Sequence, residues 1–287
     1  MSIGKGHERL AYYLYLIRRN RLFILGMVIV GCLTIAAILS PWIAPYPGDL
    51  TGNLDLKMKL KSPSGDHLMG TDVLGRDVLT RVMYGGRNSL TAGLGVVILS
   101  LCIGTPLGLI AGYFKGWSDE VIMRTADGFI SFPPLLLPMI MGAAFGTGLT
   151  VNMVALGLSW WPAYVRLIRA QVLVVREQLF VAAAKSMGVK DRMIILRHIL
   201  PNIMGPILVN SSLDMGYAIL ASASLSFIGI GARPPTAEWG LMIAESRAYF
   251  LDYWWSVTFP GLTIFIAVIG FSLLGDGLRD ILDPKVR

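Results

Sequence analysis

The feature that most constrains this chain is a series of long apolar runs without charge. Leu22–Leu39, Ser89–Tyr113, Gly128–Val165 and Val257–Leu274 contain no Asp, Glu, Lys or Arg, and 202–230 carries only Asp214. About 20 apolar residues suffice for a helix to cross the ~30 Å hydrocarbon layer of a bilayer. Inside lipid every backbone N–H and C=O needs an internal partner, and these runs lack the alternation of a membrane β-strand, so each reads as helix. The uncharged stretch from Gly128 to Val165 is too long for one crossing and is interrupted by Gly146-Thr147-Gly148, which predicts two helices joined by a tight turn. The expectation is an all-α integral membrane protein with six spans, at 22–41, 89–113, 126–147, 148–166, 202–230 and 257–278. A polar segment at 42–88 and a loop at 231–256 lie on one side. Residues 1–21, a loop at 167–201 and a tail at 279–287 lie on the other, and the permeation domain itself covers about 86–280.

Composition supports the membrane class. The chain is 54% hydrophobic and 15% charged, against a charged fraction near ~25% in soluble domains. A net charge of +7 invites a nucleic-acid reading, but the cations flank apolar runs and form no stripe or tail. With six spans, seventeen of the 25 Lys and Arg residues fall on the side of the termini and eight on the other. The positive-inside rule therefore puts both termini in the cytoplasm. The first apolar run is longer than the core of a signal peptide, and Ser40-Pro41-Trp42 is a poor cleavage site. Pro133, Pro134 and Pro138 in the third span and Pro162 in the fourth predict kinked or opened helices, alongside Gly142, Gly146 and Gly157.

Several chemistries find no support. Cys32 and Cys102 sit in apolar runs, and three scattered histidines make neither a zinc motif nor a disulfide framework. There is no G-x-x-x-x-G-K-[ST] phosphate loop, and Gly229-Ile230-Gly231 is not followed by the rest of a nucleotide fingerprint. No nucleophile elbow or HExxH motif occurs. The chain is therefore expected to be no enzyme, to bind no cofactor or metal, and to engage no nucleic acid.

The most informative polar stretch is 176–202, REQLFVAAAKSMGVKDRMIILRHILPN. A helix from Glu177 to Met187 would end at Gly188, a residue suited to a left-handed C-terminal position, and a second would start near Asp191 and stop by Pro201. The resulting hairpin would be cationic, with an exposed apolar side including Phe180, Met187, Ile194 and Ile195, suited to a groove on another protein. Ala183-Ala184, Gly188 and His198-Ile199-Leu200-Pro201 resemble the EAA motif of binding-protein-dependent ABC importer permeases. Ala182 stands where the motif's glutamate is expected. The resemblance implies a coupling helix seated in an ATP-binding subunit, with Phe180, Ala183, Ala184, Lys185, Met187, Gly188, Lys190, Asp191, Arg197, His198 and Pro201 at or near the contact.

A second set of residues is similar to the C-type permeases of dipeptide, oligopeptide and nickel importers. It comprises Gly70-Thr71-Asp72-Val73-Leu74-Gly75-Arg76-Asp77, Arg81, Gly86-Arg87-Asn88-Ser89-Leu90, Trp239-Gly240, Gly275 to Asp280 and Asp283-Pro284. The family resemblance implies a type I importer fold and a place in the bacterial inner membrane. It also implies a homologous second permease, two subunits that hold ATP and Mg, and a periplasmic or lipid-anchored solute-binding protein as partners. Di- or oligopeptides are the expected cargo, with nickel or another small solute as the alternative within the family. On a helix, Asp72 with Arg76 and Asp77 with Arg81 would form two i,i+4 ion pairs.

Asp214 is the one carboxylate midway along a predicted span. A charge there is costly and usually faces the bundle interior or water, which makes Asp214 a translocation-pathway candidate able to attract an ammonium group or a metal complex. An ion-coupled carrier or channel would predict several such charges or an internal repeat, and neither is visible. Tyr249, Phe250, Tyr253, Trp254 and Trp255 are expected to anchor at a membrane interface.

Overall fold

A computed structural model describes residues 15–50 and 55–282. Residues 1–14 of the expected N-terminal segment 1–21, and the Asp283-Pro284 pair, lie outside the described residues. The helices are α1 (Arg21–Ile43), α2 (Val78–Phe114), α3 (Gly116–Ile130), α4 (Leu136–Phe145), α5 (Leu149–Arg176), α6 (Leu179–Ser186), α7 (Asp191–Ile194), α8 (Leu200–Phe227), α9 (Trp239–Ser246) and α10 (Trp255–Leu282). The one extended pairing among the described residues is an isolated bridge between Thr71 and Asp77. Four described helices are long and apolar enough to cross a membrane: Arg21–Ile43, Val78–Phe114, Asp191–Phe227 and Trp255–Leu282.

Small residues let the long helices touch backbone to backbone. Gly104, Gly108 and Gly112 repeat every four residues on α2 and face α5. A Cβ at these glycines would lie 2.5 Å from Tyr164 Cβ, 2.8 Å from Ile168 Cβ and 2.7 Å from Val172 Cβ respectively. Lipid tails are as apolar as the side chains, so close van der Waals packing is the main attraction between such helices. Polar side chains add specific links. Asn152 donates to the Ser222 carbonyl (3.2 Å) and hydroxyl (3.0 Å), Ser100 donates to Gly157 O (3.1 Å), and Ser212 donates to Phe271 O (3.3 Å). The side chain of Asn20 caps α1 by accepting from the Phe23 N–H, and its amide reaches Asp280 on α10 (3.1 Å).

The structure departs from the sequence expectation at several element ends. α2 begins at Val78, eleven residues before the charge-free run, because Asp77 caps it by accepting from Thr80 N at 2.7 Å. The expected 126–147 helix is two helices. α3 ends at Ile130 and α4 starts at Leu136, with Pro133 and Pro134 in the break, where neither proline can donate to a helical ladder. The second half of the hairpin does not stop at Pro201. Residues Ile195–Ile199 form a π turn, Leu200 N–H bonds to Ile195 O, and Pro201 then sits in the first turn of α8, where its missing N–H is least costly. Asn202 donates to the His198 carbonyl at 2.6 Å.

Candidate functional site: an exposed hairpin and a buried charge cluster

The hairpin at one end of the bundle follows from local rules. α6 ends in a Schellman motif: Gly188 has φ +76°, its N–H bonds to Lys185 O (3.0 Å), and Val189 N–H bonds to Ala184 O (3.2 Å). Val181 and Ala184, one turn apart, face inward against Ile168, Val172, Ile194, Ile199 and Ile203. The opposite side of α6 is open: Leu179 is 87% exposed, Met187 76% and Phe180 43%. Lys185, Lys190, Asp191 and Arg197 are exposed beside them, as are Ala183, Gly188 and Pro201, while His198 is half-buried and Ala184 buried. Ile194 is fully buried and Ile195 half-buried, so neither belongs to the open face. Both pack into or against the cluster of Ile168, Val172, Val181, Ile199 and Ile203.

Ala182 is exposed and carries no side chain able to pair. The hairpin is held instead by Tyr113, whose hydroxyl donates to Asp191 Oδ1 at 2.5 Å. The Arg176 guanidinium lies over the Tyr113 ring, 5.9 Å from its centroid, and donates to the Tyr113 carbonyl. This clasp ties the start of α7 to the ends of α2 and α5. Nothing in the sequence marks it, because 78 residues separate its two side chains. On the same end, Arg169 makes a bidentate pair with Asp119 of α3 (2.5 and 2.6 Å) and Arg166 pairs with Asp127 (2.5 Å).

At the other end, the motif 70–81 is a turn followed by a capped helix, so the expected pair of i,i+4 bridges is only half present. Asp72 does bind Arg76 (2.7 Å), but across a turn. Asp77 faces His67 (2.9 Å), caps α2, and makes no pair with Arg81. Arg81 instead reaches Glu245 of α9 at 3.0 Å and Asp72 at 3.7 Å, and Arg76 also binds Glu245 at 2.7 Å. Both guanidiniums are almost fully buried, with Arg81 Nε and Nη1 lacking hydrogen-bond partners. The Asp49 carboxylate accepts from Asp77 N (2.7 Å), and burial pushes its carboxyl above the usual range. Glu245 was missed from sequence because the partners are more than 160 residues apart; Asp77, a polar residue just ahead of an apolar helix, carried a readable cap signal.

Replacing Glu245 by Gln would leave two buried guanidiniums with one carboxylate. Breaking such a buried set costs about 3–5 kcal/mol. Glu245→Gln is therefore expected to lower the thermal unfolding temperature in detergent clearly. Glu120→Gln, which removes the exposed Arg124–Glu120 pair, is expected to leave it unchanged.

The second motif half converges on the same end. Trp239 Nε1 donates to Val82 O (2.9 Å), Ser89 Oγ accepts from Trp239 N (3.2 Å), and Asn88 donates to Ala237 O (2.6 Å). Glu238 caps α9 by accepting from Gly240 N and Leu241 N, and burial pushes its carboxyl up despite those two donors. A Cβ at Gly240 would strike the Ala223 backbone. Trp255 is buried and donates to Thr71 O (3.1 Å), so it is a packing residue and no interface anchor; Tyr249, Phe250 and Trp254 remain partly exposed.

Asp214 lies midway along α8 beside Tyr164 of α5, in a cavity of about 350 Å³ that also meets Trp160, Tyr217 and the α3–α4 break. The described residues thus form an all-helical bundle with membrane-spanning helices, an exposed apolar hairpin at one end and a largely apolar, aromatic-rimmed pocket holding one carboxylate at mid-helix. The sequence signature of the binding-protein-dependent transport system inner membrane component matches residues 104–287, and that of the N-terminal transmembrane domain of oligopeptide transport permease C matches 14–63. The chain belongs to this family of inner-membrane permease components of binding-protein-dependent transport systems. It is 43% identical over 275 residues to the probable D,D-dipeptide transport system permease DdpC of Escherichia coli K12, covering 96% of this chain and 91% of the relative. It is 41% identical to the dipeptide transport permease DppC of Alkalihalophilus pseudofirmus (94% and 88% covered). To the glutathione transport permease GsiD of Escherichia coli O6:K15:H31 it is 43% identical (94% and 88%). The fold matches a chain of the inward-facing MetNI methionine ABC transporter with a TM-score of 0.58 at 17% identity, over 71% of this chain and 97% of that one.

Proposed function

We propose that this chain is the C-type permease of an ATP-driven importer that carries short peptides across the bacterial inner membrane, with ATP hydrolysed by two partner subunits. The observation that carries the reading is the hairpin: an apolar knob of Leu179, Phe180 and Met187, exposed in the isolated chain and anchored to two long helices through Tyr113, Asp191 and Arg176. An exposed apolar cluster on a rigid mount is a docking element. In this reading it seats in an ATP-binding subunit, and closure of the ATPases pushes through the clasp on α2 and α5. Those helices then rock as packed units between inward and outward access.

The cargo follows from the relatives, whose names specify peptides, dipeptides or glutathione, itself a short peptide. α5 is 28 residues long and, with the broken α3–α4 segment, completes six crossings with both termini cytoplasmic. The segments 44–50 and 55–77, together with α9, face a solute-binding protein, and a second, homologous permease closes the pathway. The test is uptake of labelled dipeptide into liposomes holding this chain, the second permease and the ATP-binding subunits, with the solute-binding protein added. Uptake that requires ATP hydrolysis is expected. Uptake or conductance by this chain alone, without ATP, would contradict the proposal.

A further inference from the structure

The cavity at Asp214 has features that simple helix packing does not require. Its floor is a broken helix: α3 ends at Ile130, α4 begins at Leu136, and Phe132, Pro133 and Pro134 line the space between. Unwound helices at mid-bundle are where membrane transporters place solute sites, because irregular backbone survives in the membrane only where it lines a cavity or is buried in protein. Its wall contains Asp214, which has no Lys, Arg or His within ion-pair distance among the described residues. Beside it, Tyr164 is 2% exposed, and its hydroxyl makes no hydrogen bond of good geometry although Asp214 and Ser211 adjoin it. Trp160, Phe129 and Tyr217 complete an aromatic rim, and Tyr217 leaves the mouth open at the chain surface.

A lone carboxylate in low dielectric is compensated by a cation, and aromatic faces attract the same cation through their quadrupoles. The Tyr164 hydroxyl oxygen beside Asp214 offers an acceptor for a further N–H. We propose that this cavity is a binding site for a primary ammonium group, the charged α-amine of a peptide, held by Asp214 and Tyr164 against the aromatic rim. About 350 Å³ lies near the lower bound of small-molecule sites, roughly 300–1,000 Å³. The site therefore takes the amino-terminal residue of a peptide and leaves the rest of it outside. This assignment rests on the importer reading, whose cargo chemistry it specifies.

The test is equilibrium binding to the full chain in detergent, by isothermal titration calorimetry at pH 6.5, where a peptide α-amine is protonated. The probes are Ala-Phe-amide and its N-acetyl derivative, which has the same shape without the charge. Wild type is expected to bind the free amine and to bind the acetylated peptide at least about tenfold more weakly, the loss set by one charge-assisted contact. Asp214→Asn should abolish that preference. Tyr164→Phe, a smaller change that leaves the ring in place, should weaken the free amine a few-fold and leave the acetylated peptide unaffected. Equal binding of both peptides by wild type, as expected for a cavity that takes lipid or a neighbouring helix, would overturn the proposal. So would an unchanged preference in both variants. If Asp214→Asn lowers the unfolding temperature, Tyr164→Phe decides the matter alone. Failure of ATP-driven uptake with amine-selective binding intact would remove the importer reading and leave the site standing.

Discussion

Gly108→Leu is expected to prevent α2 from seating on α5 and to produce a chain that is extracted in low yield and unfolds at the start of a thermal ramp in detergent. The reason is geometric. A Cβ at 108 alone would stand 2.8 Å from Ile168 Cβ, 2.9 Å from Ile168 Cγ2 and 3.0 Å from Val165 O, so the obstruction includes backbone. Backbone cannot rotate aside, and overpacking a tight contact costs about 1–3 kcal/mol or more. In the membrane that loss falls on the main attraction between the two helices. Gly108→Ala adds only that one Cβ, which already forces α2 and α5 apart but by less than leucine does, and is expected to give an intermediate unfolding temperature. Equal stability of the alanine, leucine and wild-type chains would mean that α2 and α5 do not pack as described. The same stripe positions the amine pocket, since Gly104 is what allows Tyr164 Cβ and the Trp161 carbonyl so close to α2.

The second large effect is expected at the hairpin. Leu179→Asp combined with Met187→Asp places two charges in the centre of the proposed contact while leaving α6 on its own buried face, because both positions are exposed in the isolated chain. The stability of the isolated chain should stay within about 0.5 kcal/mol of wild type. ATP-dependent uptake by the assembled importer should fall at least about a hundredfold, as charges buried without partners at an interface cost several kcal/mol. Tyr113→Phe separates seating from transmission. Loss of its hydroxyl frees Asp191 and should leave the ATP-binding subunit attached while uptake per ATP hydrolysed drops. Unchanged uptake in the double aspartate variant would show that the knob does not transmit the ATP-driven step.

Much of this was legible in the sequence because the membrane makes the code strict. Long charge-free runs admit only helix, Gly188 announces its turn, and the Ala-Ala and Leu-Pro spacings mark the hairpin. The rest depended on distance along the chain. Ile194 and Ile195 were expected on the exposed apolar side of the hairpin with Phe180 and Met187. Ile194 is instead buried against Ile168 and Val172 of α5 and Ile203 of α8, contacts with residues from other parts of the chain that no local pattern signals. The Asp77–Arg81 pair was expected from i,i+4 spacing on a helix, but Asp77 stands at the cap and Arg81 found Glu245 far along the chain. Trp255 looked like an interface anchor by composition and is buried by its bond to Thr71, 184 residues away. Asp214 was visible as a charge out of place. Its aromatic rim and the neighbouring Tyr164 hydroxyl required two helices, α5 and α8, and the broken α3–α4 segment to be brought together.

The most direct measurement of the central claim is site-directed crosslinking from a cysteine at position 190 (Lys190→Cys), at the exposed tip beside Gly188, in membranes containing the assembled transporter. The account predicts that an ATP-binding subunit is captured at this position, and that capture disappears in the Leu179→Asp, Met187→Asp background. A chain that purifies alone, with no nucleotide-binding protein crosslinked from position 190 in either background, would contradict it.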